Sequence, residues 1–147
     1  MQRHLFPYPV KRLASDRTAV AAIEFAILAP LYLLMLMGMV AYGIYFGASH
    51  SVQQLSADAA RASIAGLTST ERRAIASSFI ASNAAGYPFI DPSKLVVEIG
   101  DSPTDSSQFD VIVRYDAAHL PIWNLFRGLN MPDQTISRRA TIRMGGL

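Results

Sequence analysis

Residues 19–47 read AVAAIEFAILAPLYLLMLMGMVAYGIYFG, apolar or small throughout except for Glu24. A bilayer's hydrocarbon core is crossed by about 20 apolar helical residues at roughly 1.5 Å rise each, and Phe25 to Phe46 supplies 22 without a charge. The stretch is therefore predicted to be a membrane-spanning helix. A secretory signal is the weaker alternative, because its apolar region runs only about 7–15 residues and ends at a small-x-small cleavage site. Gly47-Ala48-Ser49 imitates such a site poorly.

Outward from this span, charge is unevenly placed. Residues 1–17 carry Arg3, Lys11, Arg12 and Arg17 against Asp16, whereas from residue 48 onward nine basic residues balance nine acidic ones. The basic character thus belongs to a short tail and does not describe a nucleic-acid surface. Lys and Arg flanking a span favour the cytoplasmic side. Residues 1–17 are accordingly expected to be a cytoplasmic leader, 18–47 the span, and 48–147 a small domain outside, in the periplasm or at the cell surface. The 147-residue chain has no cysteine, so such a domain must hold together without disulfides or thiolate metal sites.

Helix is expected to begin near Asp16 to Thr18, where a side chain can accept from the orphan amides of the first turn. Pro30 removes one backbone donor inside the span and crowds the carbonyl of Ala26, which predicts a local bend or loosened turn. Gly38, Ala41, Gly43 and Gly47 either let a neighbouring helix approach closely or reflect ordinary glycine usage in membrane helices. Beyond the span, Val52, Leu55, Ala59 and Ala62 keep a 3.6-residue stripe with Gln53, Gln54, Asp58 and Arg61 off it, so the helix should continue to about Gly66. Thr68-Ser69-Thr70-Glu71 fits a capping box. A second helix from about Ser69 to Ala85 would bury Ile75 and Phe79, on a line through Ser82, and Gly86 with Pro88 would close it.

From Leu95 the period changes to 2. Leu95, Val97 and Ile99, then Phe109, Val111, Val113 and Tyr115, then Ile136, Ala140, Ile142 and Met144 mark three strands with one buried face each. Arg138 falls on the apolar side of the last strand and must reach an edge or find a carboxylate. The expected fold class is α+β: a single N-terminal transmembrane helix extending into a small domain with a second helix and a three-stranded antiparallel sheet. Residues 117–134 resist this scheme, holding Leu120, Ile122, Trp123, Leu125 and Phe126 in a connection. They either close a thin core or form an apolar patch for a partner or the membrane surface.

No catalytic or metal constellation is legible. His4, His50 and His119 are scattered, with no paired-ligand spacing. Ser49-His50-Ser51 places helical neighbours that cannot face one another, and Asp101, Asp105 and Asp110 lack calcium-loop spacing. No glycine-rich phosphate loop follows a strand, and Arg138-Arg139 reads as a strand rim. No cofactor, metal, small-molecule substrate or nucleic acid is expected. Glu24 is the anomaly, since a carboxylate within hydrocarbon costs about 2.5–3.5 kcal/mol at the centre. Either it sits at the interface near the helix's positive N-terminus, or it pairs with a cation inside an assembly of such helices.

The run Arg17-Thr18-Ala19-Val20-Ala21-Ala22-Ile23-Glu24-Phe25-Ala26-Ile27-Leu28-Ala29-Pro30-Leu31 resembles the start of TadE-like pseudopilins of the tight-adherence (Flp-type) pilus system. Those have a basic leader, small residues, then Glu-Phe entering an apolar helix that often carries an Ala-Pro or Leu-Pro step. The likeness extends loosely through Ala57-Asp58-Ala59-Ala60-Arg61-Ala62 to a final strand with Ala140-Thr141-Ile142-Arg143, so it covers about residues 17–143. It implies a non-catalytic pilin-like subunit or assembly factor in the bacterial cytoplasmic membrane, with other pilins or pseudopilins, a prepilin peptidase and the Tad-type secretion platform as partners. It also implies cleavage between Ala19 and Val20, with Glu24, Phe25 and Pro30 serving helix pairing. The family pattern usually has Gly before the cut, where this chain has Ala19. An uncleaved single-pass protein with an outer binding domain is the alternative.

Overall fold

A computed structural model describes residues 17–123 and 132–144, with side chains from Val20 onward. The chain divides into two units, residues 1–39 and 40–147. Helix α1, Arg17–Ser63, runs through Pro30 without interruption. A proline inside a helix removes one donor, but the rest of the ladder closes around it. The expected continuation past residue 47 is present, and α1 ends in a turn where the Gly66 amide bonds the Ser63 carbonyl at 3.0 Å.

Helix α2, Ser69–Asn83, starts at the expected capping box. The Glu71 amide donates to Thr68 Oγ1, and Glu71 Oε2 accepts from the amides of Thr68 and Leu67 at 3.2 and 2.9 Å. These bonds satisfy donors that a helix start leaves orphaned. The inward line of α2 differs from the expectation. Ala76 and Ile80 are buried, Ile75 and Phe79 are only partly covered, and Ser82 is exposed. The two apolar lines lie about 100° apart on the helix, and the smaller Ala76–Ile80–Ala84 line lets α2 approach more closely.

Strands β1 (Leu95–Asp101), β2 (Gln108–Asp116) and β3 (Thr135–Arg143) form an antiparallel sheet in the order β1-β2-β3. The register places Leu95, Tyr115 and Ile136 in one row, and Ile99, Val111 and Ala140 in another. This inner face shares a core with α2 and the α1 face of Ala48, Val52, Leu55 and Ala59. Phe109, Val111, Val113 and Tyr115 are completely buried, each contributing about 1.5–3 kcal/mol of transfer free energy for an aliphatic or aromatic side chain. The α1 face is otherwise made of small residues. Buried Ser56 and Ser63 return their hydroxyls to the carbonyls of Gln53 and Ala60, at 2.9 and 2.7 Å, which removes the penalty of burying them.

Arg138 sits in the inner row with Val97 and Val113. Among the described residues it finds no carboxylate; its guanidinium donates to Ser49 Oγ of α1 and to the Ser137 carbonyl. The 117–123 turn resolves part of the ambiguous connection. Leu120 and Ile122 are buried in the core, and the Trp123 indole donates to the Ala117 carbonyl at 2.6 Å. Those two residues therefore belong to the core and not to a surface patch; Leu125 and Phe126 lie outside the described residues.

Candidate functional site

The first unit has a simple local logic: good helix formers with no polar face. From Val20 through Val40 no side chain is buried. Phe25 is 73% exposed and Ile27 70%, with Leu28, Leu31, Leu33 and Met39 similarly bare. At about 1.5 Å per residue these 21 positions extend roughly 30 Å, the thickness of a bilayer's hydrocarbon core. The helix is long and apolar enough to cross a membrane. The α+β unit first covers it at Ala41, which is wholly buried.

Glu24 stands in the second turn of this bare segment, and it is exposed. Its helical neighbours three and four positions away are Ala21, Val20, Ile27 and Leu28, none able to pair with a carboxylate. Among the described residues it makes no hydrogen bond or ion pair. Phe25 and Pro30 are exposed beside it, and Val20 is 46% exposed in the first turns. Ala19 is helical in backbone, its side chain lying outside the described atoms. The helix therefore brings the candidate cleavage step, Glu24, Phe25 and Pro30 onto one continuous element. Leu120, Ile122 and Trp123 belong to the α+β unit. Chemically, a lone carboxylate on an apolar rod can accept a cation or a proton and do little else.

Elsewhere several polar groups are occupied structurally, although Arg72 Nε is buried without a hydrogen-bond partner among the described residues. Tyr87 Oη donates to Asp58 at 2.8 Å, and burial together with this carboxylate pushes the phenol up to about 12. The Ser93 and Ser107 hydroxyls and amides hold the carboxyls of Asp91 and Asp105 below the ordinary range. Burial raises the Tyr115 phenol. Its hydroxyl donates to the Phe89 carbonyl at 2.7 Å and lies 3.1 Å from His119 Nε2. A groove of about 390 Å³ between α2 and β1 offers only Arg73 and Ser77 as polar side chains among apolar Ile80, Leu95, Val97 and Ile99. Among the described residues no group of three or more His, Asp or Glu could hold a metal.

Two features escaped the sequence. Phe89 adopts φ 62°, a left-handed conformation rare for a bulky residue. Its ring lies on Gly47, where a Cβ would stand 2.8 Å from Phe89 Cε2. The signal, a glycine on a helix face and an aromatic after Pro88, is too common to read alone.

Bare apolar helix and α+β unit together define a class, a small domain carried on a helix able to span a membrane. Within it, residues 19–61 match the family model described as TadE-like protein. The match contains Glu24, Phe25 and Pro30 and ends at Arg61. No curated protein and no solved structure matches the chain.

Proposed function

We propose that this chain is a non-catalytic, pilin-like subunit or assembly factor of a Tad-type pilus, anchored in the bacterial cytoplasmic membrane with its α+β unit outside. The observation that carries the reading is the helix surface from Val20 to Val40, bare on every side and bearing Glu24 as its one charge. The TadE-like match over residues 19–61 supports it. A prepilin peptidase would cut between Ala19 and Val20, discard the basic leader and leave Glu24 fifth in the mature chain. The new α-amino group of a neighbouring chain would then answer the carboxylate within the membrane. Such a pair costs desolvation on both sides, so it selects register among packed helices more than it adds affinity. Other pilins, the peptidase and the secretion platform are the partners of this reading.

Ala19, where the family pattern usually has Gly, favours a second reading in which the leader is kept and the chain is a single-pass anchor for an outer binding domain. N-terminal sequencing of membrane-extracted protein separates the two. A start at Val20 supports the pilin-like reading, and an intact leader supports the anchor. In a pilus-forming host, Glu24→Gln should leave insertion intact and abolish co-assembly; fibres formed as before would remove the carboxylate from the mechanism.

A further inference from the structure

We propose that an aromatic collar at the start of the α+β unit, centred on Phe46 and Phe89, is a lipid-interface surface that seats this unit on the bilayer; the inference rests on the membrane-anchored reading above. Phe46 is 62% exposed and Phe89 51%. Tyr42 and Tyr45 lie with ring centroids 6.1 and 6.0 Å from Phe46, Trp123 meets Tyr45 edge-on at 6.3 Å, and the Phe89 ring lies against the same helix at Gly47. The Phe89 ring is held outside the core at a backbone cost. Its φ of 62° is disfavoured for any side chain with a Cβ. The Tyr115 hydroxyl fixes its carbonyl, and only a glycine at 47 leaves room for the ring. Strain of this kind persists where the surroundings impose it, and it clusters at working surfaces. A ring held there for the core's sake would be covered, and half of this one is not.

Continuity with the span identifies the occupant. The bare run Val20–Val40 already matches the hydrocarbon thickness, and the collar begins two residues later. No charged residue interrupts α1 from Phe25 to Ala57, so the charge-free zone extends well past what hydrocarbon requires. The first part of that excess is aromatic, the side-chain type enriched where acyl chains meet headgroups. A phospholipid interface answers both properties.

The test uses the full chain reconstituted in phosphatidylcholine vesicles with and without bromine on the upper acyl chain. Trp123 is the chain's single tryptophan, so a Trp123→Phe background gives one reporter at a time: Tyr32→Trp in the span, Phe89→Trp in the collar, Leu67→Trp beyond the end of α1. Circular dichroism in vesicles checks that each is folded. Bromine is expected to quench the Tyr32→Trp and Phe89→Trp proteins and leave the Leu67→Trp protein unchanged. A quenched span with a collar no more quenched than Leu67→Trp would overturn the interface assignment alone, freeing the collar for a protein neighbour. An unquenched span would sink the membrane reading and the collar with it. The unmutated protein gives an independent check, because Trp123 should be quenched above the Leu67→Trp level, and equality with that level counts against the collar.

Discussion

The guanidinium of Arg138 on β3 donates to the hydroxyl of Ser49 on α1, 89 positions away in the sequence. This contact explains how a cation is accommodated in a row otherwise occupied by Val97 and Val113. Ser49 is buried and Arg138 only partly so. Removing the hydroxyl strands a charged donor facing the core, whereas removing the charge strands little. Ser49→Ala is therefore expected to lower stability by about 1–2 kcal/mol, and Arg138→Met to change it by less than about 1 kcal/mol. Denaturant unfolding of the detergent-solubilised protein checks both; an equal loss from the two would show that the guanidinium contributes as much to the fold as the hydroxyl that receives it.

Gly66 and Gly43 should respond oppositely to alanine. A Cβ at Gly66 would stand 2.6 Å from the Arg72 backbone nitrogen, while one at Gly43 meets nothing within 4 Å. The α1–α2 turn cannot yield at Arg72 without disturbing the capped start of α2. Gly66→Ala is expected to cost about 2–3 kcal/mol, within the range of overpacked sites. Gly43→Ala, in a helix interior, should gain up to about 1 kcal/mol. Thermal melts of the two variants in one detergent provide the comparison.

Alkaline pH should destabilise the fold through Tyr87. Its phenol is raised to about 12 by burial and by Asp58, while the unfolded chain ionises near 10. The native state thus holds its proton longer, and stability falls as pH rises from about 10 toward 12. Titration of phenolate absorbance should show late-ionising tyrosines, one fewer in Tyr87→Phe, with Tyr115, whose phenol burial also raises, remaining. At the acid end the sign reverses. Asp91 and Asp105 have depressed carboxyl values, so the stability they contribute is present above the ordinary carboxylate range and lost as pH falls below it.

The proposed topology rests on the charge placed before the span. A phosphatase reporter fused after Leu147 should be active, and a cytoplasmic reporter at the same point silent. The reverse pattern would invert the anchor and remove the prepilin peptidase from the account.

The sequence carried the architecture because its strongest patterns were also local. The charge-free run from Phe25 to Phe46, the Thr68–Glu71 box and the alternation from Phe109 to Tyr115 each state their structure within a few residues. Failures came where packing chose between near equals. On α2 the lines Ile75–Phe79 and Ala76–Ile80 are both apolar, and only contact with the sheet selects the second. The start of cover on α1 at Ala41 lies within the expected span because hydropathy does not distinguish a side chain facing lipid from one facing protein. Leu120 and Ile122 sat in a connection that could close the core or form a surface patch, and packing placed them in the core. Of the candidate site, Glu24 was conspicuous by its charge alone, whereas Phe89 was invisible because backbone handedness leaves no mark on composition.

The face that α1 turns to the sheet carries Ala48, Ser56, Ala59, Ala60 and Ser63, all buried. Its requirement is a ceiling on volume, not on polarity. A saturation library should tolerate exchange among alanine, serine and glycine at these five sites and reject anything bulkier, leucine included. Drift at these five sites is therefore channelled through the three smallest side chains, while Val52 and Leu55 on the same face supply the bulk that fills the core.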